Sequence, residues 1–133
     1  MNIKVSGYSF FIEDNWLKKA NIVPFSMTDR NYKYKEDSQD VLIVDISQID
    51  PDIRGKDVPI FKEGEVDGKI KTREERVLDI LMAFKDNTPL PPVEIIESKN
   101  KNYRFKLYHG CHRLHLSLSV GFNFIPAIIR SDL

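Results

Sequence analysis

His109, Cys111, His112 and His115 bring all three histidines and the only cysteine of a 133-residue chain into one seven-residue segment, His109-Gly110-Cys111-His112-Arg113-Leu114-His115. A cysteine thiolate is a nucleophile and a metal ligand, and imidazole serves as base, acid or ligand near neutral pH. Four rare residues seldom fall together by chance, so chemistry is expected here. Metal ligation is one reading: on a helix, Cys111 and His115 are four residues apart on one face, and His109 could fold back to make a third ligand. No other Cys or His exists in the chain, so a structural zinc site would need Asp or Glu to complete it. The spacing also matches no finger pattern.

The elements flanking the segment read as a strand entering it and a helix leaving it. Tyr103-Arg104-Phe105-Lys106-Leu107-Tyr108 alternates aromatic or apolar with basic residues, the period of a half-buried strand. Gly110 then lets the backbone turn sharply. The run after it is ambiguous: Leu114, Leu116, Leu118 and Val120 alternate with His115, Ser117 and Ser119 as in a strand, while Gly110 and Gly121 bracket it as helix punctuation. The expectation is a helix from His112 to Val120, followed by a last strand over Phe124–Ile129.

Upstream, Thr72 with Glu75 three residues later forms a capping box, and Val77, Ile80, Leu81 and Phe84 share one face, which predicts a helix over 72–84. Asp86-Asn87-Thr88-Pro89 ends it. Leu90-Pro91-Pro92 leads into a strand Val93–Glu97, and the polar turn Ser98–Asn102 makes it a hairpin with the Tyr103–Tyr108 strand. Val41–Ile46 reads as a buried strand, Ser47–Pro51 as a turn, and residues 54–71, with three glycines and many charges, as a long mobile loop. Ile3–Ile12 alternates like a strand or hairpin arm, and Thr28–Ser38 reads as an exposed loop. Residues 1–40 are taken as an extension packed on a main domain of residues 41–133.

Composition bounds the function. The length fits one domain with one core, and 41% apolar residues indicate a folded globule. Twenty basic and twenty acidic side chains balance, which removes the broad attraction behind non-specific nucleic-acid binding and argues against nucleic acid as the main partner. A lone cysteine makes no internal disulfide, nothing after Met1 is signal-like and no apolar run has membrane-spanning length, so a cytoplasmic, non-membrane protein is expected.

Taken together, Leu90-Pro91-Pro92-Val93-Glu94-Ile95, the hairpin, Tyr108-His109-Gly110-Cys111-His112-Arg113 and then Ile125-Pro126-Ala127 resemble the ParB/sulfiredoxin superfamily. Sulfiredoxins carry an aromatic-Gly-Gly-Cys-His-Arg signature after a Pro-Pro-hydrophobic-acid strand and before an Ile-Pro-Ala strand. The likeness spans residues 89–129, with Val44–Ile49 similar to the family's opening strand and Arg76–Leu81 to its first helix. It implies an α+β domain, a small mixed sheet with helices packed around it. By resemblance, Gly110 and the following helix N-terminus form an anion site, with His112, Arg113 and Arg76 as phosphate ligands. Cys111 would be the catalytic thiolate of an ATP-dependent oxidoreductase. It would attack a phosphoryl-activated sulfinate on a peroxiredoxin-like protein, with Mg2+ accompanying the nucleotide. His109 stands where sulfiredoxins have a first glycine, and Asp79 and Ala83 where hydroxyl side chains help hold nucleotide. Lys69, Lys71 and Arg73, from an otherwise solvated charged run, could close over a phosphate.

The ParB-like branch is the rival reading, since it keeps a related Gly-x-His-Arg-Leu box. That branch implies nucleotide binding or hydrolysis, small-molecule kinase or nuclease activity, or DNA segregation, and Cys111 is then only a small neutral residue. A non-catalytic interaction module is the third. The plain alternatives are a core or surface role for His115, core edges for Trp16, Phe10 and Phe11, and a structural ion pair for Arg113.

Overall fold

Local sequence signals set the elements, and a computed structural model describes residues 1–5, 8–36, 40–51 and 59–131 of the chain. At the start of α2 (Arg73–Asp86), Thr72 Oγ1 accepts from the Glu75 amide at 3.1 Å while the Glu75 carboxylate accepts from the Thr72 amide at 3.0 Å. Both orphan donors are thereby satisfied. Asn87, in the left-handed conformation, ends the helix.

A five-stranded mixed sheet stands behind this helix. Its strands are β3 (Leu42–Asp45), β4 (Ile49–Asp50), β7 (Val93–Glu97), β8 (Phe105–His109) and β9 (Phe124–Ile129), in the order β3-β9-β7-β8-β4. β7 and β8 form the expected antiparallel hairpin, with a register shift between Glu94 and Ile95. β9 returns parallel to β7 and antiparallel to β3, and β4 runs parallel to β8. The chain is an α+β fold.

Between β8 and β9 lies α3 (Cys111–Val120). Its leucine–serine alternation comes from burial on nearly all sides: Leu114, His115, Leu116, Ser117, Ser119 and Val120 are all buried. A helix enclosed all round has no polar stripe, so its sequence shows no helical period.

Three expectations need correction. Val41–Ile46 is not a buried strand: β3 is a sheet edge, and Leu42 and Ile43 stand 47% and 46% exposed. Ser47–Pro51 is not simply a turn, because a 3₁₀ turn at Ile46–Gln48 leads into β4. The loop expected over 54–71 instead holds a hairpin, β5 (Gly64–Val66) and β6 (Lys69–Lys71), turning at Asp67-Gly68 with both residues at positive φ. The part of that loop within 52–58 lies outside the described residues.

The N-terminal residues enter the same apolar cluster as the rest. β1 (Asn2–Val5) and β2 (Tyr8–Phe11) pair antiparallel, and α1 (Asp14–Lys19) follows. Ile3, Phe10, Ile12, Trp16 and Leu17 pack in one core with Val77, Leu81, Leu114 and Ile125. Within the stretch expected as an exposed loop, Tyr32 is 2% exposed, stacks on Phe84 and donates its hydroxyl to Pro91 O at 2.7 Å; Asp37 and Ser38 lie outside the described residues. Among the described residues no helix is long and apolar enough to cross a membrane.

Candidate functional site

The turn from β8 into α3 opens onto a cleft of about 450 Å³. Gly110 makes the turn with φ 111°, and a Cβ there would lie 2.6 Å from Val93 Cγ1, so only glycine fits. It is also the N-cap of α3 and offers no side-chain acceptor. The amides of the helix's first turn therefore lack a capping partner from their own N-cap, and they carry the positive end of the helix dipole. The cleft is lined by Lys62, Arg76, His109, Gly110, Cys111, His112 and Arg113, with Ile60, Ile80 and Leu107 as apolar wall. No carboxylate is among its described lining residues. Three positive side chains and a helix N-terminus facing one space favour an anion.

Each expected site residue thus borders one cavity, but their states differ. Arg76 projects from α2 and donates Nη1 to Lys62 O at 2.8 Å. Gly64 permits this, since a Cβ there would lie 2.9 Å from that nitrogen. The guanidinium is consequently held at the cleft edge by backbone.

Arg113 has a different principal duty. Its Nη1 donates to Pro91 O at 2.6 Å and Pro92 O at 2.9 Å. Those carbonyls belong to the Pro-Pro lead-in to β7, which has few amides to offer, so Arg113 ties that segment to α3. Its other terminal nitrogen adjoins Gly110, 3.3 Å from where a Cβ would sit. The expected partner of this arginine was a carboxylate or a phosphate; the structure supplies backbone carbonyls.

His112 accepts from the Lys62 amide through Nε2 at 3.2 Å. Burial, aided by the nearby Arg76 charge, lowers its pKa to about 4, so at neutral pH the ring is uncharged and its proton sits on Nδ1. At neutral pH this ring offers one neutral donor.

Cys111 borders the cleft and also packs against the core. Its Sγ lies 3.5 Å from His115 Nδ1 and 3.9 Å from Ile60 O. His115 itself is 0% exposed, with Nδ1 2.8 Å from Cys111 O and Nε2 2.5 Å from the Tyr8 hydroxyl. Both ring nitrogens are therefore engaged, which removes His115 from the three-ligand metal reading. Among the described residues no group of three or more His, Cys, Asp or Glu could hold a metal.

The suggested cover from Lys69, Lys71 and Arg73 is not formed. Lys71 pairs with Asp79 at 2.5 Å, Arg73 stacks over Trp16 at 5.8 Å, and none of the three lines the cleft. That same pairing occupies Asp79, and Ala83 is buried. Sequence reasoning missed Lys62, Ile60 and Tyr8. Lys62 and Ile60 lie in a segment with neither period nor motif, and Tyr8 reaches the site only through tertiary packing. Comparison with protein-family models, curated proteins and solved structures finds no match to this chain.

Proposed function

We propose that the cleft seats the phosphates of a nucleotide and carries out phosphoryl chemistry of the sulfiredoxin type, an ATP-dependent reduction of a cysteine sulfinic acid with Cys111 as nucleophile. The observation that carries this reading is the convergence of Lys62, Arg76, the first turn of α3 and Cys111 on one cleft whose described lining holds no carboxylate. Lys62 and Arg76 meet the terminal phosphate oxygens, with the amides of Gly110 to Arg113 below them. His112 contributes a neutral Nδ1–H, and Arg113 acts through the turn it braces. Mg2+ arrives with the nucleotide and offsets its charge, because the described lining offers no carboxylate to hold the ion alone.

ATP supplies the activated phosphoryl group on a sulfinate oxygen of a peroxiredoxin-like substrate. The Cys111 thiolate then attacks the substrate sulfur. An S–S bond forms, the S–O bond breaks, and phosphate leaves with the electron pair. An external thiol reduces the resulting thiosulfinate.

A second reading, a ParB-like nucleotide-binding protein without thiol chemistry, is favoured by one observation: Cys111 packs against the core, with Sγ beside the buried His115. One experiment separates the two. Phosphate release from Mg·ATP is measured with and without sulfinylated peroxiredoxin, for the wild type and Cys111→Ser. Release that requires the sulfinate and disappears in Cys111→Ser supports sulfinate repair. Equal release by both proteins supports the ParB-like reading, and absence of nucleotide affinity contradicts both.

A further inference from the structure

The cleft chemistry leaves one titratable pair unused, the buried His115 and the half-buried Tyr8. His115 is 0% exposed, on the inner side of α3, and its ring is fixed by the edge of Phe10 at 4.8 Å and by Phe61 at 6.4 Å. Burial lowers its pKa to about 4, so the imidazole is neutral and has one N–H. Which nitrogen carries that hydrogen is decided by its partners.

The Cys111 carbonyl and Tyr8 make the decision together. Burial first, and then Cys111, push the Tyr8 phenol well above the ordinary tyrosine range, so the hydroxyl keeps its proton. The Cys111 carbonyl oxygen, 2.8 Å from Nδ1, can only accept, so the ring hydrogen sits on Nδ1 and the Tyr8 hydroxyl, 2.5 Å away, donates to the bare Nε2. Sγ lies 3.5 Å from the same nitrogen, so the one N–H is shared between the Cys111 carbonyl and the sulfur. A neutral N–H directed at sulfur favours thiolate over thiol, whereas a bare ring nitrogen would accept from S–H and favour the thiol.

We propose that Tyr8 and His115 are positioning residues for Cys111: the hydroxyl of β2 supports the imidazole tautomer that the Cys111 carbonyl requires, and the imidazole holds the sulfur at the cleft mouth as a hydrogen-bonded thiolate. The inference rests on Cys111 being the reactive group of the proposed function. It assigns the N-terminal hairpin a part in that site, through a residue outside the span that resembles sulfiredoxin. Other groups act on the same ionisation. Lys62, Arg76, His112 and Arg113 line the cleft with the cysteine, and Tyr103 and Asp50 act on the Tyr8 phenol.

The test reads the thiol itself, with no nucleotide or sulfinate present. Initial rates of Cys111 alkylation by iodoacetamide are measured across about pH 5–10 for the wild type, Tyr8→Phe and His115→Gln. Both variants are expected to raise the titration midpoint by about half a unit to one unit, which is about three- to tenfold less thiolate below the midpoint. A structural role alone would alter stability and leave the midpoint in place. Because a variant could fail to fold, the wild-type ring is read as well. Long-range proton–nitrogen correlation should show His115 protonated at Nδ1 and bare at Nε2. Unmoved midpoints in folded variants, or the opposite tautomer in the wild type, overturn the proposal. A shifted midpoint with sulfinate-dependent phosphate release unaffected by Cys111→Ser would leave the tautomer relay standing and remove the repair activity instead.

Discussion

At the scale of single residues, the cluster at 109–115 separates into three roles that its one-dimensional spacing hides. His109 and Cys111 border the cleft, His112 turns its Nε2 to a backbone amide, and His115 is enclosed in the core. Their adjacency was legible from the sequence, but the low pKa values of His112 and His115 were not, since those depend on burial in the fold and, for His112, on Arg76 and Lys62 from distant segments. The two low histidine pKa values have a consequence for stability. His112 and His115 are held at about 4, below the ordinary 6.5, in both cases chiefly by burial. Between those values the unfolded chain binds more protons than the folded one. Their contribution is therefore fully present above about pH 6.5 and lost as pH falls toward about 4. The slope reaches up to about 1.4 kcal/mol per pH unit for each histidine. Denaturant unfolding at several pH values in that window should show falling stability, and a flat profile would mean that these rings remain accessible to protons.

Elements were read best where the signal is local. The capping box of α2 is formed as its sequence requires, and the β7–β8 hairpin and β9 fall at their expected places. Where tertiary surroundings decide, local reading failed. β3 looked buried because Leu42-Ile43-Val44 is an apolar run, yet it is an edge strand with one neighbour, β9. The Asp67-Gly68 hairpin was obscured by the charges around it, although that dipeptide is itself a turn signal. The β8–α3 junction depends on a backbone conformation that only glycine accepts without strain. Gly110→Ala places a methyl 2.6 Å from Val93 Cγ1 at φ 111°. The substitution is expected to lower stability by about 1–3 kcal/mol. Thermal unfolding checks it, and an unchanged midpoint would show that the turn adapts without strain.

Over the whole molecule, residues from 1–40 and from 41–133 pack into one apolar cluster. Ile3, Phe10, Ile12 and Trp16 belong to the same apolar cluster as Leu81, Leu114 and Ile125. Nothing in the alternation of Ile3–Ile12 pointed to His115 of α3 as the neighbour of Tyr8 and Phe10, because period reports which face is buried and not what covers it. The balanced net charge likewise concealed a local asymmetry, the cationic cleft between α2, the β8–α3 turn and the segment around Lys62. A whole-molecule readout therefore tests the central claim most directly. Backbone amide resonances are followed by NMR while Mg·ATP is added to the wild type and to Arg76→Ala. The account predicts shifts centred on Gly110, Cys111, His112 and Arg113 and on Lys62, with affinity about tenfold weaker in the variant, the equivalent of losing one charged hydrogen bond. Absence of shifts at the start of α3, or the same affinity in both proteins, would contradict it.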